Sequence, residues 1–583
     1  MLDSWHTQGV EKLKRFVSQF PDWRELPSDD FKIHGSIYIA GWELPRLCDD
    51  QTSNLRILIT QDFPFKLPRI AVSPFSPKLT WPNLEDAGIL CLRHEGNVCS
   101  IEQVEDELTF LLRDARDLVN EWHSGKGLER FEDEFQSYWN HWQQHDKNII
   151  SLCSANGDSR WVSSFNEENF TIVADDGETL RSWVRNYFNP DSEVTITTIP
   201  LIKLQRPPRP KEYPDTPAKL MALIASDKIA KGMLEKHVRN NQKKSKKVMF
   251  AFLGRSGFGF AGLLLSSSGK GAEKGFRKGH PPLHILMQRS IAKPVGILVK
   301  RCDASWVHGR DHNPDVKELV GKTVLVLGVG SLGSGVAELL AKMGVGKIIL
   351  VDPEAMTPEN SSRHTLGIRS MRLDKAKELA KNLSKRFPHL QFIAHALSWE
   401  NCHRKCPFIF NSADLIISTI GSWFAESRLN ILATSTVEFP PILYGWLEEH
   451  AAAGHASVFF KNNGCLRCLT DDKGQSRLPV TIWPEEGTLK HVPLCGGLFQ
   501  PYGAIELSYA QGLVADLAAD ILLSRVNASV HRTWIGQKKL LESGRGEWNP
   551  DWISRHGHPE NGGRIVNLTV TADAGCPVCG ENR

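Results

Sequence analysis

The stretch Thr323–Gly333, TVLVLGVGSLG, decides the fold of the second half of the chain. An apolar run that ends in a glycine-rich turn predicts a buried strand followed by a helix. In that arrangement, backbone N–H groups and the helix N-terminus face a phosphate group. Asp352 follows the next apolar run about twenty residues later, where an acidic side chain can hold a ribose hydroxyl. The stretch therefore predicts a nucleotide site.

Three residues further along the chain bear on which nucleotide binds. A GxGxxG turn with a following Asp is typical of NAD-dependent oxidoreductases, and Asp352 fits that interpretation as well as any other. Asn360, Arg363 and Lys375, however, add polar and positive groups that suit a triphosphate better than a dinucleotide. We therefore expect ATP at this site and keep NAD as the alternative.

Apolar and amphipathic runs alternate after residue 316, which predicts an α/β fold with a doubly wound parallel sheet. The predicted strands and helices are Thr323–Leu327, Gly333–Met343, Lys347–Val351, Asp374–Phe387, Gln391–His395 and Leu415–Ser418, followed by strands Ile442–Trp446 and Ala456–Phe460 and helix Ala504–Ser524.

The first 150 residues have an α+β order of helix, strands, loop and helices. The predicted strands are Phe31–Ala40, Leu55–Thr60 and Arg69–Val72, and the predicted helices include Val10–Phe20, Ile101–Trp122 and Leu128–Gln144. Residues 151–305 have short apolar runs, among them His284–Met287, which predict a strand-rich linker domain. We expect domains at 1–150, 151–305 and 306–583.

Composition sets limits on the class of protein. The chain has 583 residues, a formal net charge of +3 and 12 cysteines. The near-balanced charge gives no indication of nucleic-acid or membrane binding. No run is long and apolar enough for a signal peptide or a spanning helix, so we expect a cytoplasmic protein.

Four cysteines form two CxxC pairs, Cys465 with Cys468 and Cys576 with Cys579. A gap of two residues lets both thiolates of a pair reach one tetrahedral Zn²⁺. Two such pairs predict a structural zinc site that ties the C-terminus to the rest of the domain. A redox dithiol or buried thiols are the alternative.

Two further cysteines have local sequences that suit a nucleophile. Cys495 is followed by two glycines, which keep a thiol accessible, and a packed loop cysteine is the alternative. Cys91 follows the segment Trp81–Leu90, and its context alone would leave it an ordinary cysteine. A thiolate is both a good nucleophile and a good leaving group, as acyl transfer requires.

The nucleotide-site residues resemble the ATP site of ubiquitin-activating enzymes and their bacterial relatives, which adenylylate sulfur-carrier proteins. The resemblance implies that Gly328, Gly330 and Gly333, with Ser331, shape the phosphate turn and that Asp352 binds the ribose. It implies that Asn360, Arg363 and Lys375 face the phosphates, that the CxxC pairs bind zinc, and that Cys495 accepts the activated C-terminus. These enzymes usually have an Asp for Mg²⁺ where this chain has Gly421, which leaves Glu354 or Asp414 as candidates.

The N-terminal region resembles ubiquitin-conjugating enzymes. The stretch Phe63–Pro68 is similar to their Pro-Phe-x-x-Pro turn, and Asn83 precedes Cys91 by the eight residues typical of their His-Pro-Asn motif and nucleophile. The resemblance implies that Cys91 carries a thioester and that Asn83 stabilises the oxyanion or orders the loop. Trp81 stands where that family has His.

The order of the two regions resembles the bacterial fusion enzymes of type II CBASS antiphage systems. This resemblance implies adenylylation of a protein C-terminus, transfer to Cys495 and then Cys91, and conjugation to an amine of a target protein or small molecule. It implies that the activated protein is the cyclic-dinucleotide synthase, a cGAS/DncV-like nucleotidyltransferase, and that the enzyme is a homodimer. A sulfur-carrier adenylyltransferase, an NAD-dependent oxidoreductase and an inactive scaffold remain as alternatives.

Overall fold

The computed structural model describes residues 2–50, 52–92, 100–143, 147–188, 193–240, 244–268, 281–461, 463–484, 488–491 and 498–580. The chain divides into two compact units. The first comprises Met1–Ile150, Ser154–Ile172 and Thr197–Lys300, and the second comprises Ser151–Cys153, Val173–Ile196 and Arg301–Arg583. Within the described ranges, no helix has the length and apolarity needed to cross a membrane.

The N-terminal part of the first unit is a four-stranded antiparallel sheet with a long helix against it. Its elements are α1 (Leu2–Val17), β1 (Arg24–Glu25), α2 (Ser28–Lys32), β2 (Ala40–Leu44), β3 (Asn54–Ile59), β4 (Arg69–Ser73), α3 (Val104–His123), α4 (Arg130–Asp133) and α5 (Phe135–Trp142). The strand order is β1-β2-β3-β4. Leu55, Ile57 and Ile59 of β3 are fully buried and pack in one core with the apolar face of α3. The predicted α+β architecture is confirmed.

The prediction of a strand over Phe31–Ala40 is wrong. Helix α2 occupies the start of this interval, because Pro27 precedes it and two acidic residues lie in its first turn. Gly35 then adopts a φ of +147°, and Ile37 is 64% exposed, so the alternating apolar residues share no buried face. The strand β2 begins only at Ala40.

A closed barrel of seven strands follows, and each strand lies wholly or partly in the first unit. The elements of this stretch are β5 (Asn148–Ser151), β6 (Arg160–Asn166), β7 (Phe170–Ala174), α6 (Gly177–Tyr187), β8 (Thr197–Lys203), α7 (Pro217–Leu223), α8 (Lys228–Arg239), β9 (Lys246–Gly254), β10 (Gly257–Ser267), α9 (Leu283–Ser290) and β11 (Ile291–Arg301). The stretch is strand-rich, as predicted, but His284–Met287 lies in helix α9. Pro282 directly precedes α9, and a four-residue apolar run has no periodicity that separates strand from helix.

The second unit contains a mixed eight-stranded sheet. Its helices are α10 (Ala304–Gly309), α11 (Pro314–Leu319), α12 (Ser331–Met343), α13 (Lys375–Arg386), α14 (Trp399–Lys405), α15 (Phe408–Asn411), α16 (Trp423–Ser435), α17 (Leu466–Leu469), α18 (Ala504–Leu522), α19 (Lys539–Gly544) and α20 (Pro550–His556). Its strands are β12 (Thr323–Leu327), β13 (Lys347–Val351), β14 (Gln391–His395), β15 (Leu415–Ser418), β16 (Ile442–Leu447), β17 (Ala453–Phe459), β18 (Thr481–Ile482), β19 (Lys490–His491), β20 (Leu498–Phe499), β21 (Val530–Ile535), β22 (Glu547–Trp548) and β23 (Arg564–Thr569).

The strand order of the large sheet is β14-β13-β12-β15-β16-β17-β21-β23. Pairing is parallel from β14 to β16 and antiparallel from β16 to β23. The predicted doubly wound sheet is confirmed, and the direction of winding reverses between β12 and β15. In open α/β sheets, ligands bind beyond the carboxyl ends of the strands at such a switch point.

A buried network of charged side chains links strands β2 and β3 to His34 and, through it, to Ala87. Glu43 of β2 accepts hydrogen bonds from Arg56 at 2.7 Å and from Arg24 at 2.9 and 2.7 Å, and the Glu43 and Arg56 side chains are only 5% and 8% exposed. Arg56 also donates to His34 Nε2 at 3.1 Å, and His34 Nδ1 donates to the carbonyl of Ala87. Burial alone would raise the pKa of Glu43, but the two arginines together hold it below its usual value.

Replacing Glu43 by Gln is expected to destabilise the antiparallel sheet. The change leaves the buried Arg56 guanidinium without its anion, which costs about 3–5 kcal/mol. Hydrogen exchange of peptides that span β2 and β3 measures this loss directly. Glu11→Gln, at an exposed position of α1, is the matched control and leaves exchange unchanged. Unaltered protection in the Glu43 variant would show that the network contributes nothing to stability.

Candidate active sites

The phosphate turn lies between β12 and α12. Gly328 has a φ of +82°, and a Cβ there would lie 2.8 Å from the Cα of Ile420, so only glycine fits. A Cβ on Gly333 would collide with the carbonyl of Gly328, whereas a Cβ on Gly330 would meet open space. Ser331 is the first residue of α12, so the free N–H groups of the helix start in this turn. The turn has the form that cradles a phosphate.

Asp352 ties this turn to the next one. Its carboxylate accepts hydrogen bonds from the N–H of Val329 and of Glu354, each at 2.8 Å. The side chain is buried, and this burial raises the pKa of the Asp352 carboxyl above its usual value. Lys375, also buried, donates to Glu354 at 2.6 Å. The structure therefore places Asp352, Glu354 and Lys375 beside the phosphate turn, at the carboxyl ends of the parallel strands.

Arg363 lies between two aromatic rings beside the same turn. Its guanidinium carbon is 4.3 Å from the ring centre of Tyr502 and 5.0 Å from that of Phe499. The Tyr502 hydroxyl is 2.9 Å from the Ser331 hydroxyl, at the start of α12. Asn360 uses its side-chain oxygen locally, because it accepts from the N–H and the hydroxyl of Thr357. The sequence did not indicate Phe499 or Tyr502.

Phe499 is the last residue of β20, and the predicted nucleophile Cys495 lies between β19 and β20 in the sequence. The strand β19 pairs with β20 in antiparallel register. Cys495 lies in the interval between these strands, at residues 492–497, which are outside the described residues. The strand that follows Cys495 in the chain therefore leads directly into the contacts with Arg363 and Ser331.

His364 is a further member of the site, to which sequence reasoning gave no role. Its Nδ1 accepts from the N–H of Leu366 at 3.0 Å, so its Nε2 donates to the carbonyl of Val329 at 2.7 Å. Burial lowers the pKa of His364 to about 4, which keeps the ring neutral. A neutral histidine thus holds the second residue of the phosphate turn. The Asn-x-x-Arg-His pattern in the sequence was the available signal.

The loop after β15 packs against the phosphate turn. Thr419 donates from its hydroxyl to the carbonyl of Gly328 at 2.7 Å. Glu426 accepts from the Ser418 hydroxyl at 2.7 Å and from the N–H groups of Ile420 and Gly421. Burial raises the pKa of Glu426 to about 7. Gly421, with a φ of +69°, offers no side chain to a metal.

Asp414 does not belong to this site. Its carboxylate accepts from the N–H of Thr323 at 2.7 Å, at the start of β12, whereas the phosphate turn follows the end of that strand. A five-residue strand separates the two ends by about 13 Å. Of the two carboxylates proposed for Mg²⁺, only Glu354 lies near the phosphate turn.

Cys91 lies in a loop held by main-chain hydrogen bonds. Its N–H donates to the carbonyl of Asn83 at 2.9 Å, and the Asn83 N–H donates to the Tyr138 hydroxyl at 2.8 Å. Asn83 has a φ of +58°, a conformation that Asn tolerates better than most residues. Trp81, in the position of the expected His, stacks on Trp122 at 5.9 Å and packs against the core.

The Cys91 thiol is half-buried and borders a cavity of about 490 Å³. Burial, with the charges of Glu85 and Glu134, raises the pKa of the Cys91 thiol, while Arg69 opposes this effect. The resting thiol is therefore protonated at neutral pH. The side-chain oxygen of Asn83, another residue of the cavity wall, is buried and has no hydrogen-bond partner among the described residues.

The four cysteines of the CxxC pairs come together, and their Sγ atoms all lie within 4.8 Å of one another. Cys465 and Cys576 are 3.7 Å apart, and Cys468 and Cys579 are 3.4 Å apart. Sulfur atoms at tetrahedral positions about 2.3 Å from one Zn²⁺ lie about 3.8 Å from each other. The cluster can therefore bind zinc, and four thiolates leave no open position for water.

Zinc should copurify with the chain at about one ion per molecule, measured by plasma mass spectrometry. Cys468→Ser removes one ligand and is expected to lower both the zinc content and the thermal unfolding midpoint. Cys406→Ser, at a half-buried cysteine outside the cluster, is the control and keeps the full zinc content. Wild-type protein that stays metal-free after growth with zinc would contradict the assignment.

Comparison with known protein families finds one match in the N-terminal region and one in the C-terminal region of the chain. Residues 310–532 match the ThiF family, and residues 35–147 match prokaryotic E2 family B. A crystal structure of E. coli MccB aligns with a TM-score of 0.33 at 16% identity, covering 46% of this chain and 68% of MccB. A score this low supports no inference about function.

Curated relatives extend over most of the chain. The ATP-dependent ubiquitin transferase-like protein Cap2 of Pseudomonas aeruginosa is 26% identical over 480 residues, which are 78% of this chain and 83% of the relative. Cap2 of Escherichia coli is 22% identical over 542 residues, 84% of this chain and 85% of the relative. Ubiquitin-like modifier-activating enzyme 5 of Gallus gallus is 26% identical over 244 residues, 39% of this chain and 56% of the relative.

These similarities confirm the predicted resemblance to fusion enzymes of activating and conjugating type. The ThiF match, together with the phosphate turn, also supports ATP as the nucleotide. The chain is a relative of the Cap2 ubiquitin transferase-like proteins and an ATP-dependent activating and conjugating transferase of the ubiquitin-like class.

Proposed function

We propose that the enzyme adenylylates the C-terminus of a cyclic-dinucleotide synthase in an antiphage system and conjugates it to a target amine. The acyl group passes from AMP to Cys495, then to Cys91, and then to the amine. The Cap2 relatives and the order of the two regions support this proposal. The observation that carries it is the contact of Arg363 with Phe499 and Tyr502, because these residues follow Cys495 in the chain and lie at the phosphate turn.

In the first step, a carboxylate oxygen of the synthase attacks the α-phosphorus of ATP and pyrophosphate leaves. Both reactants are anionic, so positive groups must neutralise their repulsion. Lys375 and Arg363 are the cations for this role, with Asn360 as a neutral donor. The phosphate turn from Gly328 to Gly333 orients the chain of phosphates, and Asp352 binds the ribose. Glu354 would hold Mg²⁺, which supplies further neutralisation of the phosphates when bound.

The acyl adenylate is then opened by sulfur. The Cys495 thiolate attacks the carbonyl carbon, and AMP leaves. The Cys91 thiolate next displaces Cys495 from the thioester, and an amine finally displaces Cys91 to form an amide. The main-chain bonds between Asn83 and Cys91 support a role for Asn83 in ordering this loop. We expect the enzyme to act as a homodimer.

Lys375→Ala is expected to lower the affinity for ATP at least about tenfold, since a charge-assisted contact to phosphate is lost. Isothermal titration calorimetry measures this, and Lys381→Ala, at an exposed position of the same helix α13, is the control with unchanged affinity. NAD should give no heat of binding. Binding of NAD in preference to ATP would support the oxidoreductase alternative instead.

The relay predicts different products from two cysteine variants incubated with ATP, Mg²⁺ and the synthase. Cys495→Ala is expected to release AMP slowly and to form no thioester adduct. Cys91→Ala should accumulate a thiol-sensitive adduct at Cys495 without any amide conjugate. Non-reducing electrophoresis and mass spectrometry distinguish these species.

A synthase that lacks its last residues is the control and forms neither product. Conjugation at wild-type levels by both cysteine variants would contradict the relay. Absence of AMP release with every candidate protein would support an inactive scaffold.

A further inference from the structure

The cavity beside Cys91 is lined by two chemically different kinds of side chain. Ile37, Leu79 and Ile89 contribute apolar surface, and Glu85, Asp86 and Glu134 contribute carboxylates. An apolar wall suits an alkyl chain, and a carboxylate suits the ammonium group at its end. A lysine side chain has both parts. The cavity therefore matches the chemistry of an alkylammonium acceptor approaching the Cys91 thiol.

One face of the helical segment around α5 contributes to the lining of this cavity. Glu134, Ser137, Tyr138 and His141 all line it. These residues are spaced at i, i+3, i+4 and i+7, which places them on one side of a helix. Phe135 and Trp139 lie at other positions around the helix and are buried in an apolar cluster to which Tyr138 also belongs. The segment thus presents a polar face to Cys91 while its buried apolar residues hold it in place.

The three carboxylates that line the cavity differ in their partners, and Asp86 is paired with the Lys78 ammonium at 3.5 Å. Glu85 accepts from Arg69 at 2.6 Å and also lies within hydrogen-bonding reach of the Cys91 thiol. Glu134, in contrast, makes no ion pair with any described residue, and among those residues its carboxylate accepts a hydrogen bond from the Tyr138 hydroxyl at 3.4 Å. Glu134 is exposed, but its charge is close enough to act on Cys91. Glu134 is therefore the carboxylate free to take a cation.

We propose that Glu134 binds the ammonium group of the acceptor and takes its proton as the amine attacks the Cys91 thioester. This inference rests on the proposed function, because it requires an acyl group on Cys91. Glu134 would touch the acceptor, whereas Tyr138 orients Asn83 and Glu85 stays paired with Arg69. The acceptor class is a primary alkylammonium, as on a lysine side chain.

The atoms of the step balance without a further reactant. An ammonium gives one proton to the Glu134 carboxylate, and the neutral nitrogen forms a bond to the thioester carbonyl carbon. The C–S bond then breaks, and the sulfur leaves with the electron pair of that bond. The tetrahedral intermediate loses a second proton to solvent, and an amide and the Cys91 thiolate remain. General-base assistance of this kind contributes roughly 10²–10⁴-fold to a rate.

The test loads Cys91 chemically, so that it does not depend on ATP or on the synthase. The full chain carrying Cys495→Ser reacts with a Gly-Gly mercaptoethanesulfonate thioester, and peptide mapping against Cys91→Ala measures the acyl group on Cys91. Single-turnover discharge is then followed with two nucleophiles. Nα-acetyl-lysine methylamide is an ammonium at the assay pH and must lose a proton before it attacks, whereas hydroxylamine is neutral and attacks without prior deprotonation, losing its proton to solvent afterwards.

Glu134→Gln is expected to slow discharge to the lysine derivative about 10- to 100-fold and to leave discharge to hydroxylamine unchanged. Glu134→Asp, which keeps the charge, should retain most of the preference for the lysine derivative. Glu168→Gln, at an exposed position in the loop between β6 and β7, is the matched control and behaves as wild type. Equal acyl loading in all variants shows that the loop of Cys91 is intact.

Three results would overturn the inference. In the first, Glu134→Gln transfers the acyl group from Cys91 to the lysine derivative at the wild-type rate. In the second, Glu134→Gln slows transfer to both nucleophiles equally. In the third, His141→Gln, and not Glu134→Gln, slows transfer to the lysine derivative alone. Each can occur while ATP-driven loading of Cys91 proceeds normally, so it would leave the proposed function standing. Failure of ATP-driven loading with normal chemical discharge would reject the proposed function alone.

Discussion

The close approach of two backbone segments at the switch point of the large sheet is the constraint on which the nucleotide site depends. Gly328 lies against Ile420 without room for a Cβ, and the Thr419 hydroxyl bonds the Gly328 carbonyl. This contact brings the carboxyl ends of β12 and β15 together. The N-terminus of α12 at Ser331 therefore faces the crevice beyond these strand ends, where ligands bind in such sheets. Asp352 then links this turn to Glu354, and the predicted phosphate ligands gather at a single edge.

The site around Cys91 is built from different interactions. The loop that carries Cys91 is held by the main chain of Asn83 and by the Tyr138 hydroxyl. Carboxylates and burial keep the resting thiol protonated, in contrast to the positive groups at the phosphate turn. Such a thiol is a poor nucleophile until an acyl donor or another group changes its surroundings. The two sites therefore differ in electrostatic character, because Arg363 and Lys375 lie at the nucleotide site, whereas Glu85 and Glu134 act on the Cys91 thiol.

Sequence patterns predicted the parallel strands of the large sheet well, including the edge strand β14, which has no fully buried residue. The predicted strands Thr323–Leu327, Lys347–Val351, Gln391–His395 and Leu415–Ser418 agree with β12 to β15 residue for residue. Parallel strands in the middle of such a sheet are continuous apolar runs, which few other structures produce. Periodicity failed at Phe31–Ala40 and at His284–Met287, where a proline and a few local contacts decide the conformation.

The sequence by itself determined the phosphate turn, the two CxxC pairs and the spacing of Asn83 and Cys91, because each depends on residues close together in the chain. The domain boundaries and the roles of the site residues stay predictions. Only the tertiary structure decided that Asp414 lies away from the nucleotide, that Tyr502 covers Arg363, and that Glu134 borders the Cys91 cavity. These facts join residues that are tens to more than a hundred positions apart, and no local pattern specifies which distant elements pack together.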